Sequence, residues 1–389
     1  AATAVSKVMA TAAATSAQNA PVPALTPADF AAMGITGVDS TNIDMVIQQL
    51  IAAANDGSSV NTAAKLQTLV NNAALLAVQA AAAALIANYD GTNAAPVALD
   101  YSTAGVAGVT LNNLAAVNAM VGPLSASVTD STAELQAIVD AVNKLQTLAD
   151  GQASPQALSA SALTAADTAA LGIAQLNTTA QLALLNNIVD TASFSAVDSQ
   201  PELAAIATVI GKLSTTAAGG TANPALTPAD LALLGVTGVD NTNIAALIAQ
   251  IAATPDNGSG IDSLSKLQNL VTAANAAVAA ANALAIISAY DGTNTVPTLA
   301  DYNAAGITGV NNGNLAAINS FIATASVAAT DTTAEVQAIA SSAEALMALA
   351  DGTVNAGTGI TLNDIANLGA NTFTGSLATA KLGLLNGVL

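Results

Sequence analysis

The sequence predicts an all-α protein, a solenoid-like array of three-helix repeats of about 67 residues, with three repeats in each 201-residue super-repeat. Three observations predict this fold class. The stretch from Leu25 to Ile43 returns, with mostly apolar exchanges, from Leu226 to Ile244. An aspartate five residues before a glycine recurs six times along the chain. Alternating β-branched and aromatic residues, the signal of a strand, are nearly absent.

Composition agrees with helices. Of 389 residues, 53% are apolar and only 2% are aromatic, and alanine dominates the apolar set. Such a core forms where helices approach closely over alanine, with leucine, isoleucine and valine as the larger fillers.

The recurring aspartate and glycine mark the repeats at intervals of 71, 67, 63, 71 and 63 residues. Most repeats close on a glycine that can end a helix in the left-handed conformation. The closing pairs are Asp90-Gly91, Asp150-Gly151, Gly219-Gly220, Asp291-Gly292 and Asp351-Gly352. The predicted boundaries are 1–20 (tail of a preceding repeat), 21–91, 92–151, 152–220, 221–292, 293–352 and 353–389 (an incomplete sixth repeat).

Each repeat contains signals for three helices. The first is short: Thr26 is suited to the N-cap, Pro27 to the first helical position and Asp29 to the first turn, and Gly34 ends it. The second begins near Asn42. The third begins with a capping box in repeats two, three and five. The pairs are Ser131 with Glu134, Ser199 with Glu202, and Thr332 with Glu335.

The third helix of repeat two shows one apolar face. Its positions are Leu135, Ile138, Val139, Val142, Leu145 and Leu148. In repeats one and four the third helix is longer by about nine residues, or about 2.5 turns. The extra length is either a lateral contact between molecules or a cap on the next repeat's core. Both ends of the chain cut a repeat open, which predicts a window on a longer array or head-to-tail completion between subunits.

Charge and residue types exclude several functions. All six basic residues are lysines, and the chain has 25 acidic residues, which gives a net charge of −19. Binding to nucleic acid or anionic lipid is therefore not expected. Cysteine and histidine are absent, which removes disulfides, thiol nucleophiles and the commonest general base. The chain does not open on a signal peptide, and the apolar run from Ala73 to Ala87 is short for a membrane span, so we expect a buried helix there.

Catalytic groups are hard to find. Ser263 and Lys266 have the Ser-x-x-Lys spacing of penicillin-recognising enzymes, but Thr62 and Lys65 stand there one super-repeat earlier. The partner motifs of those enzymes do not occur, and both copies lie where a helix start needs a cap. We expect no enzyme and no organic cofactor.

Calcium is the alternative interpretation of the repeated carboxylates, which otherwise face helix dipoles. The candidate ligands lie in loops rich in Asp, Asn and Gly, without the spacing of a dedicated calcium loop: Asp39, Asp90, Asn93, Asp240, Asp291 and Asn294. The tyrosines beside the Asp-Gly turns are expected to pack where the long helix meets the next repeat. They are Tyr89, Tyr101, Tyr290 and Tyr302.

The recurring phrases "LTPADxxxxGxTGVDxTN", "YDGTN" and "DxTAExQAI" cover most of the chain. In this repeat grammar it resembles the giant alanine-rich repetitive surface proteins of Gram-negative bacteria, of the adhesin, surface-layer and matrix-fibre kind. The resemblance implies export to the cell surface or beyond, self-assembly and a link to calcium. The expected function is an extracellular structural protein that assembles with itself, head to tail and laterally, into a filament, sheath or surface layer. The alternative is an adhesin stalk or scaffold that binds another protein or glycan at the cell surface.

Overall fold

The computed structural model describes residues 1–14, 23–53, 56–149, 162–352, 359–370 and 373–389. These residues form eighteen α-helices and no strand, so the predicted all-α class is confirmed for them. The helices are α1 (Ala2–Ala12), α2 (Pro27–Ala32), α3 (Ile43–Ala52), α4 (Ala63–Ala87), α5 (Ala98–Thr103), α6 (Leu114–Val121), α7 (Thr132–Leu148), α8 (Ala165–Ala170), α9 (Thr179–Thr191), α10 (Gln200–Ala217), α11 (Pro228–Leu233), α12 (Ile244–Ala252), α13 (Leu264–Ser288), α14 (Leu299–Ala304), α15 (Leu315–Ile322), α16 (Thr333–Ala350), α17 (Leu362–Asn367) and α18 (Ala378–Val388).

The chain divides into two compact units, Ala1–Gly211 and Lys212–Leu389, and the division falls inside α10. In both units a six-residue helix, a second helix and a longer third helix follow one another. We number these helix groups 1 (α2–α4), 2 (α5–α7), 3 (α8–α10), 4 (α11–α13) and 5 (α14–α16). Of the predicted boundaries, those after residues 20, 151 and 352 involve residues outside the described ranges, as does the pair Asp150-Gly151.

The short helices begin and end as their residues predict. Thr26 is the N-cap of α2, Pro27 is its first residue, and Asp29 forms a capping box with Thr26. Gly34 follows the helix with φ of +75°, a left-handed conformation that side chains with a Cβ rarely adopt. Each of the other five short helices also has its aspartate at the third position and a left-handed glycine after its end.

The predicted capping boxes are present in α7 and α16, and the bond from Ser199 to the Glu202 carboxylate is present in α10. Ser131 accepts a hydrogen bond from the Glu134 backbone N–H, and its own N–H donates to the Glu134 carboxylate. The carboxylates of Glu202 and Glu335 likewise accept from the residue that caps their helices. The six apolar positions predicted for one face of α7 are all at most 1% exposed, so α7 packs with that face inward.

The long third helices α4 and α13 contain 25 residues each, against 17 in α7 and 18 in α16. Near the end of α13, Ala283 and Ile287 pack in one cluster with Tyr302 of the next group. This contact caps the next group's core, and the tyrosine is completely buried as predicted. The extra turns therefore serve one of the two roles expected of them.

The expectation that the run from Ala73 to Ala87 is buried is wrong for much of its surface. Leu75, Val78 and Leu85 are 59%, 55% and 48% exposed. The helix is covered on different sides at its two ends, by its own group first and by the next group later, so one side stays open along its middle. Among the described residues, α4 and α13 are long and apolar enough to cross a membrane, a test that core helices of soluble proteins also pass.

Candidate functional site

In three short helices, α2, α8 and α11, the aspartate has two sets of partners. In α2, Asp29 Oδ2 accepts hydrogen bonds from the Thr26 backbone nitrogen (2.9 Å) and hydroxyl (2.8 Å). This satisfies a backbone donor that the helix start leaves free, and the negative charge faces the positive end of the helix. Lys7 of the preceding third helix α1 donates to both carboxylate oxygens, at 3.1 and 3.0 Å. The residue that caps the helix therefore also ties it to the helix before.

The same ion pair recurs at two further junctions. Lys144 of α7 lies 2.7 Å from Asp167, and Lys212 of α10 lies 2.9 Å from Asp230. Burial opposes ionisation of Asp167 and Asp230, but the hydrogen bonds from lysine and from the capping threonine outweigh it and lower the pKa of both carboxyls. These two aspartates stay charged at neutral pH. With Asp29 and Lys7, three of the six lysines pair with a capping aspartate.

The groups that follow the long helices α4 and α13 contain a neutral buried tyrosine, whose hydrogen bonds stay within its own group. Tyr302 is fully buried, and its hydroxyl donates to Asn319 Oδ1 at 2.8 Å. Asn319 Nδ2 then donates to the Pro297 carbonyl at 2.9 Å, which fixes the segment before α14. In group 2, Tyr101 and Asn118 form the same chain of hydrogen bonds. The chain thus contains charged junctions, with a lysine and an aspartate, and tyrosine junctions.

A glutamine fastens the third helix to the loop between the first two helices. Gln67 of α4 accepts from the Thr36 backbone nitrogen and donates to the Thr36 carbonyl, both at 2.9 Å. This pair satisfies both backbone groups of one loop residue, much as a neighbouring strand would. It recurs in groups 2, 4 and 5 through three glutamines, Gln136, Gln268 and Gln337.

The loops with the calcium candidates are closed by their own side chains. Asp39 Oδ1 accepts from the Thr41 backbone nitrogen at 2.8 Å and from its hydroxyl at 2.6 Å, and these bonds lower the pKa of Asp39. Asp240 has the same two bonds from Thr242 at 2.7 and 2.6 Å. Each candidate aspartate thus already has one oxygen occupied within its loop.

The remaining candidates behave as two matched pairs. Asn93 lies beside Asp90, and its backbone nitrogen donates to Asp90 Oδ1 at 3.2 Å. Asn294 and Asp291 repeat this contact at 3.2 Å. Within the described ranges, three or more Asp or Glu side chains do not gather into a group that could hold a metal ion. Calcium binding in these loops stays a prediction.

The serine and lysine with enzyme-like spacing are parts of a helix start. Ser263 caps α13 and accepts from the Lys266 backbone nitrogen, as Thr62 does from that of Lys65 in α4. The Lys266 ammonium group donates a hydrogen bond to the Ser259 carbonyl (2.8 Å) and forms an ion pair with Asp262 (2.7 Å). The prediction that both copies are ordinary caps is confirmed.

A groove of about 520 Å3 lies between α1, α2 and the start of α4. Its lining is mainly apolar and includes Val5, Met9, Met33 and Leu66. Asn61 and Thr62 are its polar side chains, so the groove can accept an apolar group but offers no acid or base to act on it.

Sequence reasoning identified the capping aspartates but missed the lysines that pair with three of them. It also missed the glutamines that bond the loop after the first helix. The signal for the glutamine is a charged residue, an apolar residue and Gln near the start of the third helix, as "KLQ", "ELQ" or "EVQ". A comparison of the chain with protein-family models, with curated proteins and with solved structures finds no significant match.

Proposed function

We propose that this chain is an extracellular structural protein whose stacked helical repeats assemble, copy upon copy, into a filament, sheath or surface layer. Within one chain, the repeats form a solenoid-like array in which each group packs on the next. The protein lies at the bacterial surface or outside the cell in this proposal and has no catalytic role.

The observation that carries this proposal is the recurrence of one fastening. The glutamine pair to a loop backbone occurs with the same atoms in groups 1, 2, 4 and 5. The glutamine joins the third helix to a loop of its own group, so these four groups are held by the same internal contact. A catalytic or ligand site needs one arrangement of groups, whereas a structural array repeats one building unit. A repeated internal shape favours regular stacking, which an assembly requires of its building unit.

Surface charge supports the same function. A net charge of −19 keeps chains apart in solution unless they meet through specific uncharged surfaces. Assembly should therefore be ordered and should strengthen as salt screens the repulsion between chains.

The test is negative-stain microscopy of the purified chain over a range of protein and salt concentrations, with calcium and with a chelator. We expect fibres, sheaths or lattices with a regular repeat. Monodisperse monomers under all these conditions would count against assembly. Specific binding of a defined glycan or protein by those monomers would then favour the adhesin or scaffold alternative.

A further inference from the structure

The open side of α4 carries a stripe of apolar side chains. Leu75, Val78, Ala82 and Leu85 follow one another at spacings of three, four and three residues, so they lie on one face of the helix. The three larger side chains are 48–59% exposed, and Ala82 is half-buried. This is the spacing of the contact positions in a two-helix coiled coil.

We propose that this stripe is the surface through which two copies of the chain meet laterally, with one α4 antiparallel to the other. The inference rests on the proposed function, because it names the contact by which neighbouring copies associate. The partner is a second copy of this same chain.

The order of the side chains fits an antiparallel pair. A three-four-three spacing reads the same in both directions, so the stripe can match itself when one helix is turned around. Leu75 then faces Leu85 of the second copy, and Val78 faces Ala82. Each layer of the contact combines a larger side chain with one of equal or smaller size, as well-packed helix pairs do. A two-fold contact of this kind is self-complementary and closed.

Charge indicates why the partner is another copy. From Leu66 to the end of α4 at Ala87 there is no Asp, Glu, Lys or Arg. Two chains that each carry −19 repel one another, but contact along this part of α4 places no charged residue of that helix at the interface. A basic partner protein would be drawn to the acidic surfaces rather than to this one.

The second long helix provides a matched control. At the positions of Leu75 and Val78, one super-repeat later, α13 carries Ala276 and Ala279. The exchange to alanine therefore occurs in a natural 25-residue helix of this protein. The double variant Leu75→Ala with Val78→Ala should keep its helical circular dichroism and should raise the Kd for lateral association by more than about a hundredfold, because it removes five exposed carbons from each face.

The decisive experiment uses the absence of cysteine from the sequence. Val78→Cys and Ala82→Cys are made as separate single variants of the full chain and oxidised alone and mixed. An antiparallel pair places Val78 opposite Ala82, so we expect a fast disulfide-linked dimer in the mixture and a slow one in each variant alone. The control mixture pairs Ala82→Cys with Ala279→Cys, which carries the thiol on α13.

Three results would overturn the inference. They are equal cross-linking in a single variant, equal cross-linking in the control mixture, or no cross-linking beyond the rate of free collision. Flotation of the uncrosslinked chain with phosphatidylcholine vesicles would instead assign α4 to a lipid surface. Microscopy separates the two proposals. Regular assemblies without cross-linking would support the proposed function and refute the α4 contact. Cross-linked dimers that never assemble further would support the α4 contact and count against the proposed function.

Discussion

Replacing Tyr302 by phenylalanine removes one hydroxyl from a fully buried site and leaves Asn319 Oδ1 without its donor. An unpaired buried polar group costs about 1–3 kcal/mol. Replacing Asn319 by isoleucine is expected to cost more, because it leaves both the tyrosine hydroxyl and the Pro297 carbonyl unpaired. The double variant leaves only the carbonyl unpaired.

The chain itself shows that the apolar pair is compatible with this fold. In group 1 the corresponding positions are Phe30 and Ile47, which pack in one hydrophobic cluster. We therefore expect that adding Tyr302→Phe to the Asn319→Ile variant costs little or restores stability. The coupling between the two substitutions should be about 1–3 kcal/mol.

Hydrogen exchange of α14 to α16, followed by mass spectrometry in the full chain, measures this locally and needs no two-state unfolding of the whole molecule. Tyr302→Phe should speed exchange there by about 5- to 150-fold. The matched variant Tyr101→Phe should do the same in α5 to α7 and leave α14 to α16 unchanged. If the effects of Tyr302→Phe and Asn319→Ile simply add, the hydrogen bond does not stabilise this helix group and the reasoning is refuted.

Four further variants test other parts of the structure. The hydrogen bonds of Asp230 lower its pKa, so its contribution is present above the usual aspartate pKa of about 4 and is lost as pH falls through the lower folded value. The difference in unfolding free energy between wild type and Asp230→Asn, from urea titrations, should therefore shrink below about pH 4, and a constant difference would refute the pairing with Lys212. A Cβ added at Gly306 meets no atom within 4 Å, but the backbone there has φ of +78°, so Gly306→Ala should lower the free energy of unfolding by about 1 kcal/mol. Gly211 lies inside α10, so Gly211→Ala should raise the free energy of unfolding by about 0.5–1 kcal/mol, measured by thermal melts. Asp240→Asn should lower the melting temperature equally with calcium and with a chelator, because Thr242 already donates to that carboxylate; a loss seen only with calcium would favour a metal site.

The local features of the fold could be predicted because their signals lie within a few residues of one another. Thr26, Pro27 and Asp29 specify a helix start through bonds that span three positions. The apolar face of α7 follows from spacing alone. Such signals depend little on the rest of the molecule.

The contacts between helices could not be predicted in the same way. Lys144 meets an aspartate 23 residues later, and Gln67 meets a loop 31 residues earlier. The distance and the direction of these side chains depend on how the helices pack. Alanine also conceals which side of a helix is covered, because it is compatible with both burial and exposure, and this is why the exposure of α4 was missed.

The charged junctions and the tyrosine junctions should differ in how well they resist proteolysis. Acid and salt weaken an ion pair, but they act little on a buried tyrosine and its asparagine. A protease applied at low pH should therefore enter first near α2, α8 and α11, where a lysine and an aspartate hold the short helix. The stretches from α4 to α7 and from α13 to α16, which contain the buried Tyr101 and Tyr302, should survive longest as resistant fragments. The pattern of lysine and tyrosine along the sequence would thus set where a stable domain can be cut out.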